Sequence, residues 1–138
     1  MGEHDSAYWL GHPPRLLVLE DGPDCYSLCR WLQERNTIPV PSTDVSEAAA
    51  FLGAVFFRDD AFDGLLIVGN HKSRATFAEL DSLLAANPGL PAAMLLENTD
   101  ASSLRWASLR RIPILFKPLA QGPFAKWLKL AAKSFSRI

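Results

Sequence analysis

The sequence has few of the residues that stabilise small secreted domains or bind structural metals. It contains two cysteines and three histidines in 138 residues. Cys25 and Cys29 are four positions apart in a predicted helix, where both thiols lie on one face, and neither a Cys-X-X-Cys motif nor a histidine cluster accompanies them. A disulfide framework and a cysteine-based metal site are therefore not expected. We predict two reduced, partly buried thiols.

Long hydrophobic runs and an excess of either charge are also lacking. The apolar stretches span a few residues, far short of the roughly 20 that a membrane helix needs, and the N-terminus has no basic-then-apolar signal pattern. Fourteen Lys and Arg against 15 Asp and Glu give a formal net charge of −1. The net charge therefore gives no indication of a surface that binds nucleic acids or membranes. We expect a soluble cytoplasmic protein that binds neither a nucleic acid nor a membrane.

Apolar residues are abundant enough for one hydrophobic core, at 49% of the sequence. Residues 1–14 mix Gly, His, Pro and charged residues and end in Pro13-Pro14, so we interpret them as an irregular N-terminal arm. Residues 15–138 then form one domain of ordinary size.

Short apolar runs alternate with segments of helical periodicity along this domain. The predicted strands are 16–19, 38–41, 64–68, 91–96 and 112–116, and the predicted helices cover about 25–35, 45–56, 76–86, 101–109 and 122–135. Asp24 is the candidate N-cap of the first helix and Asn36 its candidate stop, and Ser42, Thr43 or Asp44 could cap the second helix. Two prolines make the second strand an edge strand.

Five strands that alternate with five helices predict a doubly wound α/β domain, in which a five-stranded parallel sheet has helices on both faces. A ligand crevice is then expected outside the carboxyl ends of the strands, where the strand order reverses.

Several strand ends resemble those of the response-regulator receiver family. Leu16-Leu17-Val18-Leu19-Glu20-Asp21 resembles its first strand with the acidic pair, and Ile114-Leu115-Phe116-Lys117-Pro118-Leu119 resembles its last strand. Residues 62–68 and 91–96 resemble the third and fourth strands, in the style of receivers attached to hybrid histidine kinases. The similarity spans residues 15–135 and implies the receiver variant of the flavodoxin-like fold.

The resemblance implies a phosphorylation site from which several groups are missing. Glu20 and Asp21 stand where the family has its magnesium-binding acids, and Lys117 is similar to the lysine that pairs with the phosphoryl group. The phosphoacceptor aspartate, however, falls on Val68, which cannot form an acyl phosphate. Leu96 replaces the switch Ser or Thr.

Two further positions follow from the same resemblance. Ile114 replaces the aromatic residue that changes rotamer in the family, and Pro118 is expected to follow a cis peptide bond. With acceptor, hydroxyl and aromatic missing together, the resemblance implies a reorganised, atypical site.

The charged residues that match the family pattern have more than one possible role. Glu20 and Asp21 retain at most a weak Mg²⁺ site, or else Lys117 forms a salt bridge with one of them. Residues 71–74 form a basic loop that is either solvated or binds an anion. If the alignment slips, Asp63 or Asp100 would be the phosphoacceptor. We expect no cofactor.

The function that follows is a phosphorylation-independent pseudo-receiver that acts as an interaction or dimerisation module in bacterial two-component signalling. Its expected partner is a histidine kinase, a regulator or another signalling protein, and a homodimer is an alternative. No Ser-His-Asp, Cys-His or paired-carboxylate arrangement predicts an enzyme. The family's contact face suggests five interface residues: Trp106, Arg110, Ile114, Lys126 and Lys129.

A second hypothesis assigns a ligand-sensing role to the vacated crevice. Glu20, Asp21, Asn70, Glu97 and Lys117 would line it and bind a small molecule or an ion in place of the phosphoryl group.

Overall fold

The architecture was taken from a computed structural model that describes residues 13–20, 25–54, 61–69, 76–97 and 100–136. Strands and helices alternate through these residues in the predicted order. They are β1 (Arg15–Leu19), α1 (Cys25–Gln33), β2 (Ile38–Ser42), α2 (Val45–Gly53), β3 (Gly64–Gly69), α3 (Phe77–Ala86), β4 (Ala92–Leu96), α4 (Ala101–Leu109), β5 (Ile114–Phe116) and α5 (Gln121–Ser136).

The five strands form one parallel sheet in the order β2-β1-β3-β4-β5. The order reverses between β1 and β3, which places the expected crevice at the carboxyl ends of these two strands. β2 lies at an edge, as predicted, because Pro39 and Pro41 lack the N–H groups that a central strand must donate on both sides.

Each central strand is buried on both faces, which explains its continuous apolar run. In β1, Leu16 and Val18 point into a layer that includes residues of α1 and α5, whereas Leu17 and Leu19 point into a layer formed with α2, α3 and α4. The predicted doubly wound α/β fold is therefore confirmed.

Side-chain caps determine where several helices begin. Thr76 forms a capping box with Glu79 at the start of α3, and Asp44 and Asp100 accept backbone N–H bonds at the starts of α2 and α4. Asn36 ends α1 with φ of 60°, and the Thr37 N–H bonds to Leu32 O at 3.1 Å. This is the pattern of a Schellman motif, and it confirms Asn36 as the stop.

The end of α4 has the same motif with a less favourable residue. The Ile112 N–H bonds to Ala107 O at 2.9 Å and the Arg111 N–H bonds to Ser108 O at 3.1 Å, while Arg111 has φ of 57°. Glycine is preferred at that position because it has no Cβ. The Ile112 N–H takes part in this motif. β5 therefore begins at Ile114 and not, as predicted, at Ile112.

Candidate functional site

Glu20 follows β1 directly and lies at the point where the strand order reverses. Its backbone N–H bonds to Ser42 O at 3.0 Å. The register pairs Leu19 with Ile67, so the next pair along the two strands is Glu20 and Val68. The register therefore places Val68 beside the first predicted acid. Its partner Asp21 lies outside the described residues, as do Asn70, the basic loop 71–74 and residues 1–12.

Lys117 reaches the same point from the end of β5. Its Nζ lies 3.6 Å from Glu20 Oε2, and the exposed fractions of the two side chains are 19% for Lys117 and 1% for Glu20. The Lys117 N–H bonds to Leu96 O at 2.8 Å, and the Lys117-Pro118 bond is cis, as the resemblance implies. Of the two alternatives for Lys117, the structure supports the salt bridge with Glu20.

The remaining positions of the centre are aliphatic and belong to the core. Val68 packs with the α1 and α5 layer, and Leu96 packs with the layer on the other face of the sheet. Both side chains are almost fully buried. Ile114 is partly buried against the same layer as Leu96. The described part of the site is therefore the ion pair of Glu20 and Lys117, with apolar side chains around it.

The described residues of this centre offer one carboxylate, that of Glu20, to the magnesium ion that the receiver resemblance implies. Mg²⁺ prefers several oxygen ligands in octahedral geometry, usually with more than one carboxylate or phosphate oxygen. Within the described part of the chain, no three His, Cys, Asp or Glu side chains come together as a candidate metal site. The carboxylate of Glu20 is already beside an ammonium group.

Asp63 and Asp100, the alternative phosphoacceptors, have other bonds in the structure. Asp63 precedes β3, at the opposite end of that strand from Val68, and its Oδ2 accepts the Arg15 N–H at 2.8 Å. Asp100 caps α4, and its Oδ2 accepts the Ser103 hydroxyl at 2.6 Å. This hydrogen bond from Ser103 lowers the pKa of the Asp100 carboxyl. Both carboxylates therefore stabilise local structure.

A cavity of about 450 Å³ opens next to Lys117, between α1 and the segment that follows β5. Its walls are mainly apolar, and polar groups lie at Ser27, Glu97 and Lys117. Both Glu97 and Lys117 were predicted to line the vacated crevice. The apolar wall consists of Leu28, Trp31, Leu95, Pro118 and Leu119.

Cys25 and Cys29 lie on the α1 side of this region as free, partly buried thiols, in agreement with the sequence prediction. Burial, followed by the neighbouring Cys29, raises the pKa of the Cys25 thiol to about 12. Burial also raises the pKa of Cys29. Because the thiolate is the reactive form, both side chains behave as small apolar residues at neutral pH.

The predicted interface residues lie on α4, β5 and α5, which are neighbours at the β5 edge of the sheet. Lys126, Lys129 and Arg110 are exposed. Trp106 is buried, since its ring stacks on Phe77 and its indole N–H bonds to Asp81 at 3.1 Å. This burial corrects the assignment of Trp106 to an exposed interface, because α3 already covers its ring.

Arg110 joins the same cluster. Its Nη2 donates to Asp81 Oδ2 at 2.8 Å, and its guanidinium lies 4.8 Å from the Trp106 ring centre. The hydrogen bond from Arg110 is the main reason that the pKa of Asp81 is lowered. Arg110 thus links α4 to α3. The other charged residues predicted for the interface are Lys126 and Lys129.

Sequence reasoning missed a charge asymmetry that the net charge conceals. Residues 101–138 contain eight of the 14 Lys and Arg and none of the 15 Asp and Glu. The same elements expose three large apolar side chains, Leu109, Phe116 and Leu130. A charge count by segment would have revealed the asymmetry, but the exposure of the apolar residues depends on how the helices pack.

No helix in the described part of the chain is long and apolar enough to cross a membrane. No protein-family model matches the sequence. A comparison with curated proteins finds no match either.

Solved structures do resemble the chain. A response regulator receiver domain protein from Clostridium thermocellum superimposes with a TM-score of 0.73 at 12% identity, over 90% of this chain and 98% of that one. A protein from Burkholderia pseudomallei that is named as pilus assembly-related gives 0.69 at 21% identity, over 88% and 90%. The Vibrio cholerae chemotaxis protein CheY4 gives 0.68 at 17% identity, over 86% and 98%. The chain therefore has the fold of a response-regulator receiver domain.

Proposed function

We propose that this chain is a pseudo-receiver, a receiver domain that works without phosphorylation and acts by binding another protein in bacterial two-component signalling. The observation that carries the proposal is the buried Val68 next to the Glu20–Lys117 pair, at the position where the resemblance puts the family's acceptor aspartate. The expected partner is a histidine kinase, a regulator or another signalling protein, and the expected location is the cytoplasm. We propose no enzymatic activity.

The chemistry of acyl-phosphate formation supports this proposal. A carboxylate must attack the phosphoryl donor, and Val68 has only two methyl groups. Leu96 offers no hydroxyl to follow the phosphoryl group, and the Lys117 ammonium group is paired with Glu20. The features that would make and read the phosphorylated state are replaced together, whereas the fold that presents the helices is retained.

Two measurements test the proposal. The protein is incubated with acetyl phosphate and Mg²⁺ and analysed by intact mass, and its solution mass is determined by light scattering with and without beryllofluoride. We expect no acid-labile mass gain and no change in solution mass. A typical receiver domain treated in parallel serves as the positive control. A phosphoryl adduct, or an assembly that forms only with beryllofluoride, would contradict the proposal.

The cavity beside Lys117 favours a second candidate function, a sensor for a small molecule. Its size of about 450 Å³ and its apolar wall, with Glu97 and Lys117 among its polar groups, match a small, mainly apolar molecule. A thermal-shift screen with nucleotides, aromatic carboxylates and acyl-phosphate mimics tests this function, because a ligand that binds the folded state raises the melting temperature. A shift that Leu28→Trp abolishes would support the sensor, and no shift would exclude these ligand classes.

A further inference from the structure

Two opposite charges lie side by side in the lining of the cavity beside Lys117. Glu97 follows β4 directly and Lys117 follows β5 directly, and these two strands are neighbours in the sheet. The register pairs Leu96 with Phe116, and the Lys117 N–H bonds to Leu96 O at 2.8 Å. Glu97 and Lys117 are therefore the next pair, with Cα atoms about 5 Å apart. Both residues line the cavity, which thus presents a carboxylate next to an ammonium group.

Both charged groups have capacity left for a further partner. Lys117 Nζ is 3.6 Å from Glu20 Oε2, which is an ion pair but longer than a hydrogen bond, and an ammonium group has three N–H donors. Glu97 is exposed, and within the described part of the chain its carboxylate forms no ion pair with Lys117 or with another cation. A molecule in the cavity can therefore pair with both residues.

The apolar wall of the cavity is held in place by contacts within the protein. Trp31 packs edge-on against Phe124, with ring centres 5.3 Å apart, and the Arg35 guanidinium lies 3.7 Å from the Trp31 ring centre. Arg35 Nη1 also donates to Trp31 O at 2.9 Å. Leu95, another residue of the wall, is almost fully buried. An apolar group that enters the cavity therefore meets a preformed surface, and few side chains lose freedom when it binds.

We propose that this cavity binds a free α-amino acid with an apolar side chain. The carboxylate of the amino acid pairs with Lys117, and its ammonium group pairs with Glu97. Its side chain packs against Leu28, Trp31 and Leu119. This inference rests on the second candidate function, because it names the class of ligand that the sensor recognises.

Other small molecules satisfy fewer of these groups. A purely anionic ligand, such as phosphate, a nucleotide or an aromatic carboxylate, would bring its negative charge against Glu97. An amine would bring its positive charge against Lys117. An uncharged apolar molecule would cover both charged groups without pairing them, which costs free energy. An amino acid carries an ammonium group, a carboxylate and an apolar side chain on one carbon atom, so it supplies all three contacts.

Isothermal titration calorimetry of the wild-type protein tests the inference. The ligands are phenylalanine, leucine and tryptophan at concentrations up to about 10 mM, a range that suits molecules of this size. The amino acid that binds most tightly is then compared with its deaminated and its decarboxylated analogue, which are hydrocinnamate and phenethylamine in the case of phenylalanine. We expect each analogue to bind at least about fivefold more weakly than the amino acid, because one charge of the cavity then has no partner.

The variant Glu97→Gln separates charge pairing from apolar contact. It should weaken amino-acid binding by about fivefold, because the ammonium group loses its carboxylate partner. It should not weaken binding of the deaminated analogue, since Glu97 repels the carboxylate of that ligand. Glu97 is exposed, so the variant should keep the fold. The matched control is Glu34→Gln, which removes an exposed carboxylate outside the cavity lining and should change neither affinity.

The outcomes distinguish this inference from the functions on which it depends. The inference is overturned if none of the amino acids binds, if either analogue binds as tightly as the amino acid, or if Glu97→Gln leaves amino-acid affinity unchanged. Binding of a nucleotide or an acyl-phosphate mimic in place of amino acids would overturn the inference and leave the sensor function standing. A response to beryllofluoride and Mg²⁺ would contradict the phosphorylation-independent function, whereas the amino-acid affinities alone decide the inference.

Discussion

At the scale of single residues, Lys117 and Glu20 form an ion pair at the carboxyl ends of β5 and β1. Glu20 is almost completely buried, and a buried carboxylate is stable only when a positive charge or hydrogen bonds compensate it. Lys117 therefore has a role in the fold, because its ammonium group compensates the charge of Glu20.

A double-mutant cycle tests this role. Lys117→Met should lower the free energy of unfolding by about 2 kcal/mol, because it removes the cation beside a buried carboxylate. The double variant Glu20→Gln, Lys117→Met should recover most of this loss, since no charge is then left uncompensated. Urea unfolding measures both, and Lys126→Met on the exposed face of α5 is the control. Additive losses in the double variant would show that the pair is not coupled.

The thiol of Cys25 gives a second prediction at this scale. Burial raises its pKa to about 12, so the thiol stays protonated at pH 8 and iodoacetamide should react at least about 100-fold more slowly with the folded protein than with the protein in urea. Because the folded pKa exceeds the unfolded one, stability should fall as the pH rises from about 9 towards 12. The rates are measured in the wild-type protein by tandem mass spectrometry, which distinguishes Cys25 from Cys29, because Cys29 contributes to the raised pKa. Equal rates in the two states would contradict the prediction.

At the scale of secondary-structure elements, α1 and α4 end with the same motif but with different residues in the left-handed position. Asn36 tolerates positive φ, whereas Arg111 has an unbranched but large side chain whose Cβ is close to the following backbone. The comparison isolates the cost of the left-handed conformation, because the hydrogen bonds around the two positions are equivalent.

Arg111→Gly should therefore stabilise the fold by about 0.5–1 kcal/mol. Asn36→Gly should change the free energy of unfolding by no more than a few tenths of a kcal/mol. Denaturant unfolding of both variants beside the wild type provides the measurement. If Arg111→Gly destabilises the protein, the left-handed residue is held by contacts of its side chain, and the argument from strain fails.

At the scale of the whole molecule, a net charge of −1 results from two segments of opposite sign. The last 38 residues contain only basic charged side chains, and all 15 acidic residues precede them. The fold gathers the basic segment into α4, β5 and α5 at one edge of the sheet. An anionic partner is therefore attracted to this edge even though the protein as a whole is nearly neutral.

The sequence by itself determined the fold and most of its elements. Continuous runs such as Leu16–Leu19 require burial on both faces, and their alternation with helical periodicity leaves a doubly wound sheet as the simple solution. The prolines of β2 placed that strand at the edge, and Lys117-Pro118 together with Glu20 located the crevice. The apolar runs and the prolines are local or periodic features, and the positions of Glu20 and Lys117-Pro118 follow from the family resemblance, so all of them can be predicted without coordinates.

Only the tertiary structure decided which charges meet and which apolar residues remain exposed. The pairing of Lys117 with Glu20 depends on the separation of β1 and β5 ends across the sheet, and the burial of Trp106 depends on Phe77 and Asp81 of α3. A cleft beside Arg111 forms where the ends of α3 and α4 approach α5. Such contacts join residues that are distant in sequence, and the packing of helices on the sheet determines them.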